Sequence, residues 1–158
     1  MNGDLSDGEI NELYNHSKVK AMLSFTKGEG YGRPLLEFSA VGKPIIASGW
    51  SGQVDFLHPE KSFLIGGELE PVHESAANQW IMKESKWFKP DPAIIGGVLK
   101  DTYKNYKNYV VRGKQQGHYS RTNFSFDKMT ELLGTYLNKY VNVPVEVELQ
   151  LPTLEKID

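Results

Sequence analysis

The sequence Gly28-Glu-Gly-Tyr-Gly-Arg-Pro-Leu-Leu-Glu-Phe-Ser-Ala-Val-Gly-Lys-Pro44 combines a glycine-rich turn with the beginning of a helix. The helix is predicted from about Pro34 to Val41, because proline is favoured in the first turn of a helix and glycine, here Gly42, just past its end. The free N–H groups of such a first turn suit a phosphate or diphosphate, since the helix dipole adds positive potential there. We therefore expect a ligand at this turn.

Short apolar segments precede and follow the turn. Residues 19–25 and 44–48 are mostly apolar without alternation, which is typical of parallel strands covered on both faces, and residues 63–65 are a third strand candidate. Strands that alternate with helices predict an α/β fold, with a Rossmann-like parallel sheet flanked by helices. Ligands of such sheets bind beyond the carboxyl ends of the strands, where the glycine turn is expected to lie.

Several helices are predicted from their boundaries. A capping box at Ser6 predicts a helix that begins there, ends near His16 and buries one face. Asp91 followed by proline begins a helix whose apolar face continues to Tyr106, and an apolar stripe predicts another from Ser125 to about residue 140. Residues 68–89 show no clean period and are expected to form a long connection with at most a helix.

The C-terminal end differs in pattern from the rest. Residues 143–151 alternate apolar and polar side chains, which indicates an edge strand or an extended arm. The expected organisation is one domain over residues 1–142, followed by an extended tail over residues 143–158.

Composition limits the classes of function. The net charge of −2 gives no reason to expect a nucleic-acid partner. The chain has no cysteine, which excludes disulfides and thiolate metal sites and suits a reducing compartment, so the expected location is the cytoplasm. The polar N-terminal residues do not resemble a signal peptide, and no apolar run approaches the roughly 20 residues of a membrane span.

Common phosphate-binding motifs do not explain the turn. A dinucleotide fingerprint that starts at Gly28 requires glycine or alanine at position 33, which is Arg33, and neither Gly-Lys pair precedes the Ser or Thr of a Walker loop. Glu29 and Glu37 bracket the turn, and carboxylates there suit the neutral hydroxyls of a ribose or sugar better than an anion. By position alone, Glu37 would more simply offset the helix dipole and Glu29 would be a solvent-exposed loop residue.

The segment from Glu29 to Glu37, with the alanine, glycine, proline and isoleucine that follow it, resembles the Glu-x7-Glu motif of retaining GT-B glycosyltransferases, especially the family 4 group. The resemblance extends to the glycine turn at residues 51–55 and to the helix start at residues 124–126. It covers nearly the whole chain up to about Tyr140.

The resemblance implies the donor-binding, C-terminal half of a GT-B architecture. Such an enzyme transfers a sugar from a nucleotide-sugar donor, such as a UDP- or GDP-sugar, to an acceptor with retention of configuration and without a metal or other cofactor. Glu29 is then the catalytic residue that contacts the donor sugar, and Glu37 binds the ribose hydroxyls. The donor-binding residues that the resemblance implies are Gly30, Tyr31, Gly32, Arg33, Pro34, Leu35 and Glu37.

The resemblance also implies missing parts. The N-terminal acceptor domain and the first strands of the donor domain are not in this sequence, so the isolated chain is expected to be inactive. Two alternatives stay open: a non-catalytic nucleotide-sugar-binding domain, and an interaction module that assembles with a separate chain. The acceptor, whether glycan, lipid or protein, is not indicated, and a homo-oligomer is left open.

Overall fold

The strands predicted around the glycine turn form one parallel sheet in the computed structural model, which describes residues 3–141. The chain divides into two compact units, Met1–Ser125 and Phe126–Asp158. The first unit contains the sheet, and the described part of the second is a single helix.

The described elements follow one another in this order: α1 (Asp7–Asn15), β1 (Met22–Ser24), α2 (Arg33–Val41), β2 (Ile45–Ser48), β3 (Phe63–Ile65), β4 (Gly67–Pro71), β5 (Lys86–Pro90), α3 (Pro92–Lys104), α4 (Tyr106–Asn123) and α5 (Phe126–Tyr140). The parallel sheet has the order β1-β2-β3, with Met22 opposite Ile45 and Ile46 opposite Phe63. The predicted α/β class, a parallel sheet flanked by helices, is confirmed.

The first helix begins as predicted but is less buried than predicted. Ser6 is its N-cap, and the reciprocal bonds of the capping box with Glu9 are present. The expectation of a buried face is wrong, because no residue of α1 is buried and its apolar residues Ile10, Leu13 and Tyr14 are only half-covered. The helix lies on the surface of the first unit, and the ring of Tyr14 packs edge-on against Phe38 of α2.

The three parallel strands differ in how far they are buried. Every residue of β2 is buried, as predicted for a strand covered on both faces. The predicted strand at residues 19–25 is reduced to Met22–Ser24, and Leu23 is 49% exposed. The prediction of a covered strand is wrong there, because β1 is an edge of the sheet and pairs only with β2 among the described strands.

The core of the first unit lies between α2 and the sheet. Its buried members are Leu35, Phe38, Ile45, Ala47, Phe56 and Leu57. Both ends of α2 are glycines in the left-handed conformation: Gly32 is the N-cap, with φ of 90°, and Gly42 the C-cap, with φ of 82°. The helix begins one residue earlier than predicted, and its end at Val41 is confirmed.

Residues 68–89 form a hairpin, so the expectation of a long connection with at most a helix is wrong. Strands β4 and β5 pair antiparallel, with Gly67 opposite Pro90, and the segment between them contains one short 3-10 turn at Glu74–Ala76. A Cβ at Gly67 would lie 2.8 Å from the Phe88 ring, so this pairing needs glycine. The strands are rich in Glu and Lys, and Glu70 forms an ion pair with Lys89 across them at 3.1 Å.

Helix α4, which was not predicted, packs against α2 and the sheet. Helix α3 ends before Asn105, and α4 begins directly after it and extends for 18 residues. Its buried face consists of Tyr109, Gly113, Gln116, Gly117 and Ser120. A Cβ at Gly113 would lie 2.7 Å from the Lys43 carbonyl carbon, and one at Gly117 would lie 2.8 Å from the Cα of Gly42. The two glycines therefore allow α4 to contact the backbone that links α2 to β2.

The buried amide of Gln116 ties α4 to the loops beside the sheet. Its Oε1 accepts hydrogen bonds from the His58 N–H at 3.0 Å and the Ser62 hydroxyl at 3.1 Å. Its Nε2 donates to the Phe56 carbonyl at 2.8 Å and the Ser120 hydroxyl at 2.9 Å. All hydrogen-bonding positions of this side chain are used, as a buried amide requires.

The remaining helices agree with their sequence signals. Asp91 caps α3 by accepting hydrogen bonds from the N–H groups of Ala93 and Ile94, and α5 spans Phe126–Tyr140 as predicted. The tail predicted over residues 143–158 lies outside the described residues. Among residues 3–141, no helix is both long and apolar enough to cross a membrane.

Candidate functional site

The glycine turn lies where β1 ends and α2 begins. The surroundings of its three glycines differ. A Cβ at Gly28 or Gly30 would meet nothing within 4 Å, whereas Gly32 has positive φ and a Cβ there would lie 3.3 Å from the Glu29 side chain. Only Gly32 is required by its conformation, and the backbone at the other two positions is open to a ligand.

The first turn of α2 offers fewer N–H groups than the sequence suggested. The N–H groups of Leu35 and Leu36, which were expected to face a phosphate, both donate to the Gly32 carbonyl, at 2.9 and 3.1 Å. They are used inside the helix because α2 begins one residue earlier than predicted, and the carbonyl of its N-cap residue, Gly32, accepts the first intrahelical hydrogen bonds. In the described part of the chain, no protein acceptor pairs with the N–H groups of residues 30–33. These four amides are therefore without a protein acceptor in the described chain, and three of their residues, Gly30, Tyr31 and Arg33, are exposed.

The backbone of Glu29 is held by a neighbouring loop. Its N–H donates to Ser51 Oγ at 3.1 Å, and its carbonyl accepts from the same hydroxyl at 2.6 Å. The N–H of Gly52 donates to that carbonyl as well, at 3.0 Å. The glycine turn is thus fixed to the loop that follows β2.

The carboxylate of Glu37 forms an ion pair within α2. Its Oε1 lies 2.9 Å from Arg33 Nε, one helical turn earlier. The Arg33 side chain is 82% exposed and that of Glu37 is 42% exposed. A pair this exposed contributes little to stability, typically about 0–1 kcal/mol. Both side chains are therefore accessible to a ligand.

A groove between α1 and α2 contains this ion pair. It has a volume of about 410 Å³ and is lined by Asp7, Ile10, Asn11, Tyr14, Arg33, Glu37 and Val41. The volume falls within the range of small-molecule sites, about 300–1,000 Å³. Its walls combine an aromatic ring and aliphatic side chains with two carboxylates. The groove therefore suits a ligand with an apolar ring face and hydroxyl groups.

Two interactions fix the wall that α1 contributes. The Lys43 ammonium donates to the carbonyls of Tyr14, at 2.6 Å, and His16, at 2.9 Å, at the end of α1. Burial is the main cause that lowers the pKa of Lys43, and the charge of Lys20 adds to it. Burial raises the pKa of Tyr14, and the negative charge of Glu37, which lines the same groove, raises it further.

The hairpin β4–β5 contacts the residue just before the glycine turn. The Lys27 carbonyl accepts from the Phe88 N–H at 2.9 Å, and its ammonium lies 3.1 Å from Glu70 and 3.8 Å from the centre of the Trp87 ring. Hydrogen bonds from Lys27, then from Lys89 and Trp87, lower the pKa of Glu70. The ring of Trp50 stacks on Phe88 at 5.8 Å. The turn is therefore supported from both sides.

The predicted site residues fall into two groups. Glu29, Gly30, Tyr31 and Gly32 form the turn, and Arg33, Pro34 and Glu37 lie on the accessible side of α2. Leu35 is different, because its side chain is 3% exposed in the core and its N–H is already bonded. The Tyr31 ring is 42% exposed and packs at 5.3 Å from Phe56.

Sequence reasoning missed two contributors. The α1 wall of the groove was read only as a helix face, although the spacing of Ile10, Asn11 and Tyr14 places them on one side. Ser51 was noted as part of a glycine turn, but nothing in the sequence reveals its bonds to Glu29. Among the described residues, no cluster of three or more His, Asp or Glu side chains could hold a metal ion.

Comparison with protein families identifies the family of the chain. The family model described as glycosyl transferases group 1 matches residues 1–85 of the 158 residues. The chain belongs to this family. The matched part contains α1, the glycine turn, α2, the whole parallel sheet and β4, so all residues of the candidate site lie inside it. No curated protein matches the chain.

Membership in the group 1 glycosyl transferases establishes the general activity. The chain is of a transferase type that moves a sugar from a donor to an acceptor. The second strand of the hairpin and helices α3 to α5 lie beyond the matched residues.

Proposed function

We propose that this group 1 glycosyl transferase binds a nucleotide-sugar donor, such as a UDP- or GDP-sugar, at the glycine turn and in the groove between α1 and α2. The observation that carries the proposal is the position of Glu37. It lies in a groove of about 410 Å³ and on the helix whose N-terminal end presents amides with no acceptor among residues 3–141. One ligand with hydroxyls and a diphosphate satisfies both features.

The ribose is assigned to Glu37. A carboxylate accepts hydrogen bonds from two neighbouring hydroxyls, which is the pattern that a ribose offers. Because the ion pair with Arg33 is exposed, breaking it costs little, and the guanidinium becomes available to the diphosphate. The ring of Tyr14 and the side chain of Ile10 give the groove an apolar wall for the nucleoside.

The diphosphate is assigned to the N–H groups of residues 30–33. They lie at the positive end of the α2 dipole and have no protein acceptor within the described chain. Pro34 removes one N–H group from the first turn without cost, since that group would have no intrahelical partner. The donor sugar then lies against Glu29 and the backbone of Gly30 and Tyr31.

These assignments give a chemical role to each part. Bond cleavage between the sugar and the diphosphate leaves negative charge on the diphosphate, and amides that are already oriented stabilise that charge with no reorganisation. Arg33 adds a positive charge at the same end of the helix. We propose transfer with retention of configuration and with no metal, with Glu29 as the residue that contacts the sugar in the reaction.

Ligand binding to the purified chain tests the proposal. UDP, GDP, UDP-glucose and GDP-mannose are added at millimolar concentration in thermal unfolding and titration calorimetry. At a ligand concentration of 100 times Kd, linkage adds about 2.7 kcal/mol of stability, so a clear rise in Tm is expected. Glu37→Ala should abolish the rise while leaving the Tm of the free protein nearly unchanged.

A matched control separates ribose binding from a general effect of charge. Glu12 is an exposed glutamate of α1 that is not among the groove residues. Glu12→Ala should respond to nucleotides as the wild type does. The proposal fails if none of the four ligands raises Tm, or if Glu12→Ala removes the response as fully as Glu37→Ala.

A further inference from the structure

Ser51 has a backbone conformation that serine rarely adopts. Its φ is 71° and its ψ is −161°, and among the non-glycine residues of the described chain it alone has positive φ. This combination is essentially restricted to glycine, because a Cβ is crowded there. Glycine would adopt it freely. The presence of serine therefore requires a compensating interaction of its side chain.

The hydroxyl of Ser51 supplies that interaction through two hydrogen bonds, both to the backbone of Glu29. It accepts a hydrogen bond from the Glu29 N–H at 3.1 Å and donates one to the Glu29 carbonyl at 2.6 Å. The next residue, Gly52, donates its N–H to the same carbonyl at 3.0 Å. Three hydrogen bonds from two consecutive residues thus fix both sides of Glu29.

The glycine turn has no close side-chain packing of its own at this point. A Cβ at Gly28 or Gly30 would meet nothing within 4 Å, and the close contact here is between backbones, since a Cβ at Gly52 would lie 2.6 Å from the Tyr31 Cα and 2.7 Å from the Gly30 carbonyl carbon. Glycines lose more conformational freedom on ordering than other residues, and an unrestrained turn would sample many arrangements. The bonds from Ser51 select one of them.

We propose that Ser51 is a positioning residue: it holds the backbone of Glu29 so that the Glu29 side chain and the amides of residues 30–33 face the donor together. The inference rests on the proposed donor site. Ser51 does not touch the donor, and it acts through Glu29. The Ser51 hydroxyl bonds both the N–H and the carbonyl of this residue, and glycine in the same backbone conformation could make neither bond.

Two substitutions separate positioning from stability. Ser51→Gly relieves the strained φ and removes both side-chain bonds, so its two effects on stability oppose each other. Ser51→Ala keeps the strain and removes the same bonds. Both variants should make the Glu29 backbone more mobile, whereas only Ser51→Ala should clearly lower the free energy of unfolding. Ser17→Gly, in an exposed turn, is the control for introducing a glycine.

The first measurement needs no ligand. Amide hydrogen exchange of Glu29 is followed by NMR in the wild type and the three variants. Both Ser51 variants should exchange about tenfold faster at Glu29, since its N–H loses its acceptor, while the buried β2 amides remain as protected as in the wild type. Unchanged exchange at Glu29 in both variants would overturn the inference.

The second measurement is titration with UDP and GDP. Ser51→Gly should bind about tenfold more weakly than wild type, the factor that corresponds to the loss of about one hydrogen bond, although its Tm stays within a few degrees. Wild-type affinity in Ser51→Gly would refute the role in donor positioning. If the wild type binds neither nucleotide, the proposed function and the donor role fail together, and the exchange data still decide whether Ser51 holds Glu29.

Discussion

Substitution of Gly52 by alanine tests whether the glycine turn and the loop after β2 are packed as closely as the structure shows. A Cβ at this position would lie 2.6 Å from the Tyr31 Cα and 2.7 Å from the Gly30 carbonyl carbon. Carbon atoms in contact are normally about 3.5–4.0 Å apart, so the two loops must separate by about 1 Å. All of the opposing atoms belong to the backbone, which has no side-chain rotamer to relieve the clash.

The expected effect is a clear loss of stability. Overpacking of this kind costs typically about 1–3 kcal/mol, and the separation also lengthens the 3.0 Å hydrogen bond from Gly52 to Glu29. At about 4 °C per kcal/mol for a chain of this size, Tm should fall by about 4–12 °C. Thermal and urea unfolding followed by circular dichroism measure both quantities.

Gly28→Ala is the matched control in the same turn. Its Cβ would meet nothing within 4 Å, and its φ is not positive. Stability should therefore stay within about 0.5 kcal/mol of wild type, as for surface substitutions away from special features. Wild-type stability of Gly52→Ala, or an equal loss of stability in both variants, would show that the two loops are not packed this closely.

Two further predictions concern the support of the site. Gln116→Met should lower the free energy of unfolding by about 2–4 kcal/mol, because it leaves several buried hydrogen-bonding groups unpaired. Gln115→Met, on the exposed side of the same helix, should be nearly neutral. Equal losses for the two variants in urea unfolding would contradict this. Hydrogen bonds from Lys27, Lys89 and the Trp87 indole hold the pKa of Glu70 below its ordinary value of 4.5. The stability that Glu70 contributes is therefore present above pH 4.5 and is lost as the pH falls through the lowered pKa. Glu70→Gln should therefore reduce the fall in Tm between pH 5 and pH 3, and identical profiles for the two proteins would count against the cluster.

Elements with local signals were predictable from the sequence. The capping box at Ser6, the glycine that ends α2 at Gly42 and the apolar run of β2 each depend on residues within one or two turns of the chain. Their positions in the structure agree with the prediction to within one or two residues. The parallel sheet followed from their alternation.

Elements that depend on distant partners were not predictable. The buried face of α4 contains two glycines and Gln116, and these side chains do not form an apolar stripe. The glycines are explained only by the backbone at residues 42–44, and the glutamine only by the loop at residues 56–62. Strands β4 and β5 likewise depend on each other, since they are separated in sequence and pair with Glu70 opposite Trp87.

The candidate site shows the same division. The glycine turn and its two glutamates were identified from the sequence, because the motif is continuous. The groove required the packing of α1 on α2, and the N–H groups of Leu35 and Leu36 are engaged with Gly32 because α2 begins one residue earlier than the sequence indicated. The backbone conformation at position 51 is one in which glycine would be expected, so the sequence does not reveal the strain at Ser51.

The donor site is tested most directly by an NMR titration of the isotope-labelled chain with UDP, GDP and their sugars. The largest amide shifts should fall on residues 30–33 and on the groove around Glu37, and Glu37→Ala should remove them. A larger cavity of about 690 Å³ beside α4, lined in part by Lys61, Lys114 and His118, is the competing location. Shifts confined to that cavity, or no shifts with any of these ligands, would contradict the central claim that the glycine turn and groove form the donor site.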